Sequence, residues 1–237
     1  MTSAKRRVLE FPNDHAIGYL YKVDCFGEIQ RHEYGINVGE AKGTVEIEVE
    51  DGWMLQLILT TTQIKCLKTL PPDCLESLAV LYSMPALDED ALSSFGHIET
   101  LRELFIESNR ISDKGLDHLK QLSRLEVLTI LSSKIGNGAL ARIAKYFPNL
   151  RQLCLAGADI DDKQLLHLAE LPLEFLHLGG TKVTDAGLQF IGNIHSLKNL
   201  TLYQTHISGL GLKNLQALKN LQVLVLSETG RSGTVAW

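Results

Sequence analysis

The stretch Leu101-Arg102-Glu103-Leu104-Phe105-Ile106 shows a pattern, Leu-x-x-Leu-x-apolar, that the chain uses six times. The copies are 23 to 25 residues apart and begin at Leu101, Leu125, Leu150, Leu173, Leu197 and Leu221. About seven apolar positions recur in register within a copy, for example Leu173, Leu176, Leu178, Val183, Leu188, Ile191 and Ile194. A fixed period of this length indicates a stack of similar units.

The two halves of each copy predict two different elements. The first half alternates apolar and other residues with period two, which suits a short strand with one buried face. The second half has apolar spacings of three and four, which suit a short helix. One unit cannot bury both elements alone, so stacking is required. The pattern therefore predicts an α/β leucine-rich repeat solenoid, with a parallel sheet on the concave face and short helices on the convex face.

Polar residues mark where the predicted helices begin. In Ser112-Asp113 and Thr184-Asp185, the hydroxyl can cap the first turn and the carboxylate suits the positive end of the helix dipole. Three copies depart from this pattern, and we expect short or irregular helices there; they carry Gly136-Asn137, Asp161-Asp162 and Ser208-Gly209.

The solenoid is predicted to span residues 75–229. A weaker copy of 26 residues begins at Leu75 and contains Met84-Pro85, as expected of an atypical terminal repeat. The last copy has a strand but no helix, and a tail follows over residues 230–237. Because an unpaired strand edge invites pairing, either the tail folds back or a homodimer forms through the C-terminal edge.

Residues 1–66 lack the repeat and predict a small β-rich N-terminal module, joined to the solenoid by residues 67–74. Strands are expected at 16–23, 43–49 and 54–62, and Asp51-Gly52 is typical of a hairpin turn between the last two. Such a small module is marginally stable alone, so we expect it to cap the first repeat.

The chain also resembles known proteins in these regions. The stretches 11–20 and 39–45 resemble the leader of bacterial leucine-rich repeat proteins, especially those of planctomycetes, and 71–78 resembles their entry into the first repeat. The unit containing Thr181 to Leu188 is similar to the ribonuclease-inhibitor-like class of repeat. The resemblance implies the fold and says little about function.

Composition narrows the functional classes. A net charge of −5 and a pI near 5.9 argue against a nucleic-acid-binding surface. No apolar run is long enough to span a membrane, and the N-terminus lacks the apolar region of a signal peptide. These features predict a cytoplasmic protein.

The sequence predicts neither catalysis nor a cofactor. It contains no phosphate-binding loop, no HExxH and no GxSxG. The four cysteines lack CxxC spacing, so we expect no metal site. For Cys66 and Cys74 the sequence allows either a disulfide or, in a reducing cytosol, buried free thiols. Cys154 is expected to face outward as an accessible thiol, and His177 lies on the same face.

The candidate site is the concave face, where the third, fifth and seventh positions of each copy point. Apolar and aromatic residues are frequent there, which favours binding of a partner protein, although the tail or a second copy could cover the same face. The predicted contact residues are Glu103, Phe105, Glu107, Val127, Leu131, Phe175, His177, Tyr203 and Val223. The alternative function is carbohydrate or small-ligand binding by the N-terminal module, with Trp53, Tyr19, Tyr21 and Tyr34 as a stacking platform.

Overall fold

A computed structural model describes residues 4–24, 35–60, 64–80, 87–132, 134–226 and 234–236. Predictions that involve Cys25, Tyr34, Met84-Pro85 and Trp237 fall outside these residues. The strands are β1 Ala4–Glu10, β2 Gly18–Asp24, β3 Ile36–Glu40, β4 Thr44–Glu50, β5 Trp53–Leu59, β6 Ser77–Val80, β7 Glu103–Glu107, β8 Val127–Leu131, β9 Gln152–Cys154, β10 Phe175–His177, β11 Asn199–Thr201, β12 Val223–Val225 and β13 Thr234–Ala236.

The repeat strands form one long sheet, in the order β13-β12-β11-β10-β9-β8-β7-β6-β5-β2-β3. Pairing is parallel from β5 to β12 and antiparallel at both ends, where β2, β3 and β13 join. The predicted parallel solenoid sheet is confirmed, and the pattern's leucines lie inside it: Leu104, Leu128 and Leu176 are at most 1% exposed.

The convex side carries mostly short 3₁₀ helices between the strands. The α-helices are α1 Glu89–Leu92, α2 Asn137–Tyr146 and α3 Leu188–Ile191. The 3₁₀ helices are Ile64–Thr69, Asp113–Leu119, Asp162–Leu168 and Gly211–Leu215. The prediction of a short helix after Gly136-Asn137 is wrong, because α2 is the longest described helix. Its alanines and leucine favour helix, and Ala139, Leu140 and Ile143 bury one face.

Three of the N-terminal strands, β2, β3 and β5, share the sheet of the solenoid. Strand β5 pairs in parallel with β6, and β2 pairs antiparallel with β5. Strands β1 and β4 form a separate two-stranded sheet. The prediction of a β4–β5 hairpin is therefore wrong: Asp51-Gly52 connects strands that belong to different sheets, and its turn signal does not specify which strands pair.

A buried ion pair joins β1 to the first repeat. The Arg7 guanidinium donates to the Glu76 carboxylate (2.8 Å) and to the Cys74 carbonyl (2.7 Å), and both ion-pair side chains are largely shielded. One continuous apolar core runs from Leu9 to Leu226. The N-terminal strands and the repeats thus pack as one unit.

Carboxylates on the convex side link neighbouring repeats. Asp113 accepts from the N–H groups of Gly136 (2.6 Å) and Gly138 (2.9 Å), and Asp162 accepts from Thr184. The expected hydroxyl caps are present, as at Ser112, whose oxygen accepts from the Lys114 N–H. Asp113 lies in the first turn of its own helix, as expected. The contact of these carboxylates with the turn of the following repeat was not predicted.

Candidate functional site

The concave face is formed by side chains that alternate with the buried leucines. Register places Phe105, Thr129, Cys154, His177 and Thr201 in one row across successive strands. A neighbouring row begins with Glu103 and includes Val127, Gln152, Phe175, Asn199 and Val223. A third row follows the strand ends and includes Glu107, Leu131, Ala156, Gly179 and Tyr203. The predicted contact residues therefore do share one face.

Three of these residues form an aromatic cluster near the C-terminal end of the face. The rings of Phe175 and His177 meet edge to face at 6.4 Å between centroids, and those of His177 and Tyr203 are tilted at 5.3 Å. All three side chains are partly exposed. Such ring pairs hold one another in place, so the cluster presents a rigid aromatic surface.

The position of Tyr203 depends on a glycine in the preceding repeat. A Cβ atom added to Gly179 would lie 2.7 Å from the Tyr203 ring, so only glycine at this position allows the ring to occupy its observed position. The next residue, Gly180, has a φ of 70°, which also favours glycine. The sequence alone does not indicate that Gly179 lies beneath an aromatic ring.

Cys154 lies beneath this cluster. It does point to the concave side, but it is only 8% exposed, so the prediction of an accessible thiol is wrong. The His177 ring covers it, with 2.9 Å between the Cys154 Sγ and the His177 Nδ1. Burial raises the pKa of the Cys154 thiol and lowers the pKa of the His177 imidazole. Both groups are therefore neutral near pH 7.

The C-terminal part of the face carries no formal charge. Among the described residues, none of the concave-facing side chains from β8 to β12 is Asp, Glu, Lys or Arg. We call this surface the uncharged strip; its members are Val127, Thr129, Leu131, Gln152, Cys154, Ala156, Phe175, His177, Gly179, Asn199, Thr201, Tyr203, Val223 and Val225. Charged residues make up 22% of the whole chain, so a surface of this size without them is unusual.

Charges flank the uncharged strip, and many of them are paired with each other. Along the strand starts, Glu174 binds both Arg151 and Lys198, the latter at 2.6 Å, and these interactions lower the pKa of the Glu174 carboxyl. Past the strand ends, Lys182 binds Asp159 at 2.6 Å. These flanking charges thus largely compensate one another.

The N-terminal part of the face is more polar. The Glu103 carboxylate accepts from the Ser77 hydroxyl (3.0 Å), which accepts from the Gln56 amide (2.9 Å). Gln56 and Ser77 are buried, and sequence reasoning missed this hydrogen-bond chain. Phe105 lies on β7, three strands from His177, which is roughly 14 Å at the usual strand spacing. Phe105 is thus separate from the aromatic cluster.

The stacking platform proposed for the N-terminal module is not assembled from its described members. Tyr19 and Tyr21 pair with Ile58 and Gln56 on the concave side of β2 and β5. Trp53 pairs with Asp24 on the opposite face of the sheet, where it packs against the core. Aromatic rings on opposite faces cannot stack on one sugar, so the observation behind the carbohydrate alternative is lost.

The described residues offer little for metal or redox chemistry. Within them, no three His, Cys, Asp or Glu side chains come together to hold a metal ion. Cys74 is a free thiol, so it forms no disulfide with Cys66, and burial raises the pKa of Cys74 to about 12. In the same part of the chain, no helix has the length and apolarity needed to cross a membrane.

Comparison with known proteins supports the fold. The chain matches no protein-family model and no curated protein sequence. Its structure is similar to an internalin C2 from Listeria monocytogenes, with a TM-score of 0.54 and 22% identity over 73% of this chain and 80% of that one. A second Listeria monocytogenes internalin, inlF, matches at a TM-score of 0.46 and 18% identity over 65% and 48%. Internalins are leucine-rich repeat proteins. With the sheet topology and repeat spacing, the first of these likenesses identifies the chain as a leucine-rich repeat solenoid.

Proposed function

We propose that this protein is a non-catalytic module that binds a partner protein on its concave face. The observation that carries the proposal is the uncharged strip with its aromatic cluster. The cores of protein interfaces are depleted in charged residues and enriched in aromatic ones. A water-facing sheet without a binding role would instead be expected to carry charged side chains.

The predicted contact residues have distinct roles in this proposal. Phe175 and Tyr203 are the anchors of the aromatic cluster, and Phe105 is a separate anchor on β7. Val127, Leu131 and Val223 supply apolar contact around them, and Val223 is 38% exposed. His177 fixes the rings, and Glu103 and Glu107 set orientation at the N-terminal side.

The Cys154–His177 pair supports a non-catalytic role. A catalytic cysteine reacts as a thiolate, commonly beside a histidine cation, in a site that lowers the pKa of the thiol. Here burial raises the pKa of the thiol and lowers that of the imidazole, which favours the neutral forms of both. We therefore assign the pair to packing beneath the aromatic cluster.

Location and assembly belong to the same proposal. We propose a cytoplasmic location, where thiols such as Cys66 and Cys74 stay reduced. The resemblance to planctomycete-type proteins with ribonuclease-inhibitor-like repeats remains an expectation about origin and repeat class. The alternative assembly is a homodimer through the C-terminal edge of the sheet, where β13 already pairs with the outer edge of β12.

The test is affinity purification from the native host, followed by binding measurements with the captured protein. Phe105→Ala, Phe175→Ala and Tyr203→Ala should each weaken binding about thirtyfold, since a hot spot contributes roughly 2 kcal/mol or more. Leu166→Ala is the matched control, because Leu166 is a half-exposed apolar residue on the convex helix Asp162–Leu168. Unchanged binding by all three variants, with loss in Leu166→Ala, would show that the concave face is not the site.

A further inference from the structure

We propose that the uncharged strip receives an amphipathic α-helix of the partner, whose contacting face is apolar and carries no formal charge. This inference rests on the proposed function, because it specifies the partner that the same face would bind. Three properties of the strip support it: its charge, its backbone and its dimensions.

The charge of the strip specifies the chemistry of the partner. A charged side chain docked on this surface would lose water without gaining an ion pair, which costs free energy. The surrounding charges offer little compensation, because Glu174 is bound by Arg151 and Lys198, and Lys182 is bound by Asp159. The hydrogen-bonding groups in the strip are neutral and include Gln152 and Asn199. The complementary surface is therefore apolar, with neutral polar groups at most.

The backbone of the strip favours a helix over an extended segment. The N–H and C=O groups of β8 to β12 point along the sheet and pair with neighbouring strands, so the face offers only side chains. An extended peptide laid on such a face would bury its own backbone polar groups without partners. A helix satisfies its backbone internally and can present an apolar stripe.

The dimensions of the strip fit one helix. Five strands span roughly 19 Å at the usual strand spacing, which is the length of about 13 helical residues. Along the strands, the strip is four to five residues deep, or roughly 13 Å, close to the 10–12 Å diameter of a helix. These two lengths give the strip a flat footprint of about 250 Å², which is well below the ~800 Å² of accessible surface that each partner buries in a standard interface. A single element fits this area better than the face of a globular domain.

The experiment is a display selection against the full chain. The library is a three-helix bundle in which one exposed helix face is randomised over about 14 residues. Enriched sequences should carry apolar, uncharged residues at i, i+3, i+4 and i+7. For the selected binder, raising NaCl from 50 to 500 mM should change Kd less than about threefold, since few charges are involved. Phe175→Ala and Tyr203→Ala should each raise Kd more than tenfold, and Leu166→Ala should not.

Four outcomes would overturn the inference: charged residues enriched at the contact positions, a Kd that rises more than about threefold with salt, no binder that needs Phe175 or Tyr203, or binding that survives a proline at the centre of the selected helix. Failure of this inference can be distinguished from failure of the proposed function. If a native partner is lost on Phe175→Ala but binds through a charged or extended region, the concave face remains the site and only the helix is refuted.

Discussion

The Asp162 carboxylate accepts hydrogen bonds from the backbone N–H (2.8 Å) and the hydroxyl (2.7 Å) of Thr184, one repeat further along the chain. Asp185 makes the same two contacts with Ser208 in the next repeat. The contact also explains a glycine, because a Cβ on Gly187 would collide with the Asp162 carboxylate. The aspartate of one repeat and the glycine of the next are thus coupled. The series of aspartates ends after Asp185, because the equivalent position in the next repeat is Gly209, which has no carboxylate.

Replacing Asp162 with alanine should therefore weaken the junction between two repeats. The Thr184 N–H would lose its partner in a part-buried place, at a cost of about 1–3 kcal/mol. Urea unfolding should show this loss. The control is Asp159→Ala, which removes only the exposed ion pair with Lys182 and should cost less than about 1 kcal/mol. Equal losses in the two variants would contradict a special role for the Asp162 contact.

The ion pair between Arg7 and Glu76 should contribute more to the free energy of unfolding than the ion pair between Lys5, on the same strand, and Asp73. Arg7→Ala leaves the Glu76 carboxylate shielded without its cation, which typically costs about 3–5 kcal/mol. Lys5→Ala removes an exposed pair with Asp73, also between β1 and the start of the first repeat, and should cost less than about 1 kcal/mol. Thermal unfolding of both variants measures the difference, and similar melting temperatures would refute it.

The sequence predicted those parts of the fold that depend on local periodicity. Leu104, Leu128 and Leu176 are buried as expected, because the period assigns each of them to the inner face of a strand. It did not predict the function of Asp162, because that depends on a residue 22 positions away in the next repeat. It also misjudged Asp51-Gly52, since a turn signal fixes a change of direction and not the choice of partner strand.

The candidate site was predictable in outline and not in detail. Alternation alone indicates that Phe175 and His177 face the same side as Phe105. It does not show that Phe105 lies apart from the cluster, or that the His177 ring covers Cys154, because side-chain direction within a face is set by packing between strands. The position of the Tyr203 ring over Gly179 also depends on packing between strands, so alternation does not predict it. The absence of Asp, Glu, Lys and Arg from the uncharged strip follows from the sequence and its alternation alone.

Removing residues 227–237 should promote self-association. Strand β13 pairs antiparallel with β12 and covers its outer edge, and an uncovered edge invites pairing with another chain. Light scattering over a range of concentrations should show a larger mean mass than for the full chain. Leu210, 83% exposed on the last convex turn, offers a second explanation. If Leu210→Lys abolishes association of the shortened chain, the apolar residue and not the strand edge is responsible.

Stability should fall on acidification from pH 7.5 to 5.5 through His177. Burial lowers the pKa of this imidazole below its ordinary 6.5. Below pH 6.5 this histidine is protonated in the unfolded chain, but in the folded chain it is protonated only at the lower pH set by its lowered pKa. Between these two pKa values the unfolded chain binds more protons, so the free energy of unfolding decreases as the pH falls. His177→Gln should reduce the dependence, whereas His206→Gln, at an exposed position, should retain it. Identical urea midpoint shifts in wild type and His177→Gln would exclude this origin.

Gly179→Ala should disturb the aromatic cluster without unfolding the chain. A Cβ atom at Gly179 would lie 2.7 Å from the Tyr203 ring, so the ring must move away from His177. Gly179 is not among the glycines with positive φ, so alanine adds no backbone strain there and only the ring must move. We expect a change in the near-ultraviolet circular dichroism of tyrosine and at least a tenfold loss of binding to a concave-face partner, with unfolding free energy changed by about 1 kcal/mol or less.

A double variant decides whether this effect passes through Tyr203. If alanine at position 179 acts by displacing the ring, adding it to Tyr203→Ala should cause little further loss of binding, because the two changes remove the same contact. Additive losses would mean that Gly179 acts on the sheet itself. The control is Leu166→Ala, a half-exposed apolar residue on the convex helix Asp162–Leu168 and outside the uncharged strip. Binding by this variant should stay close to that of the wild type.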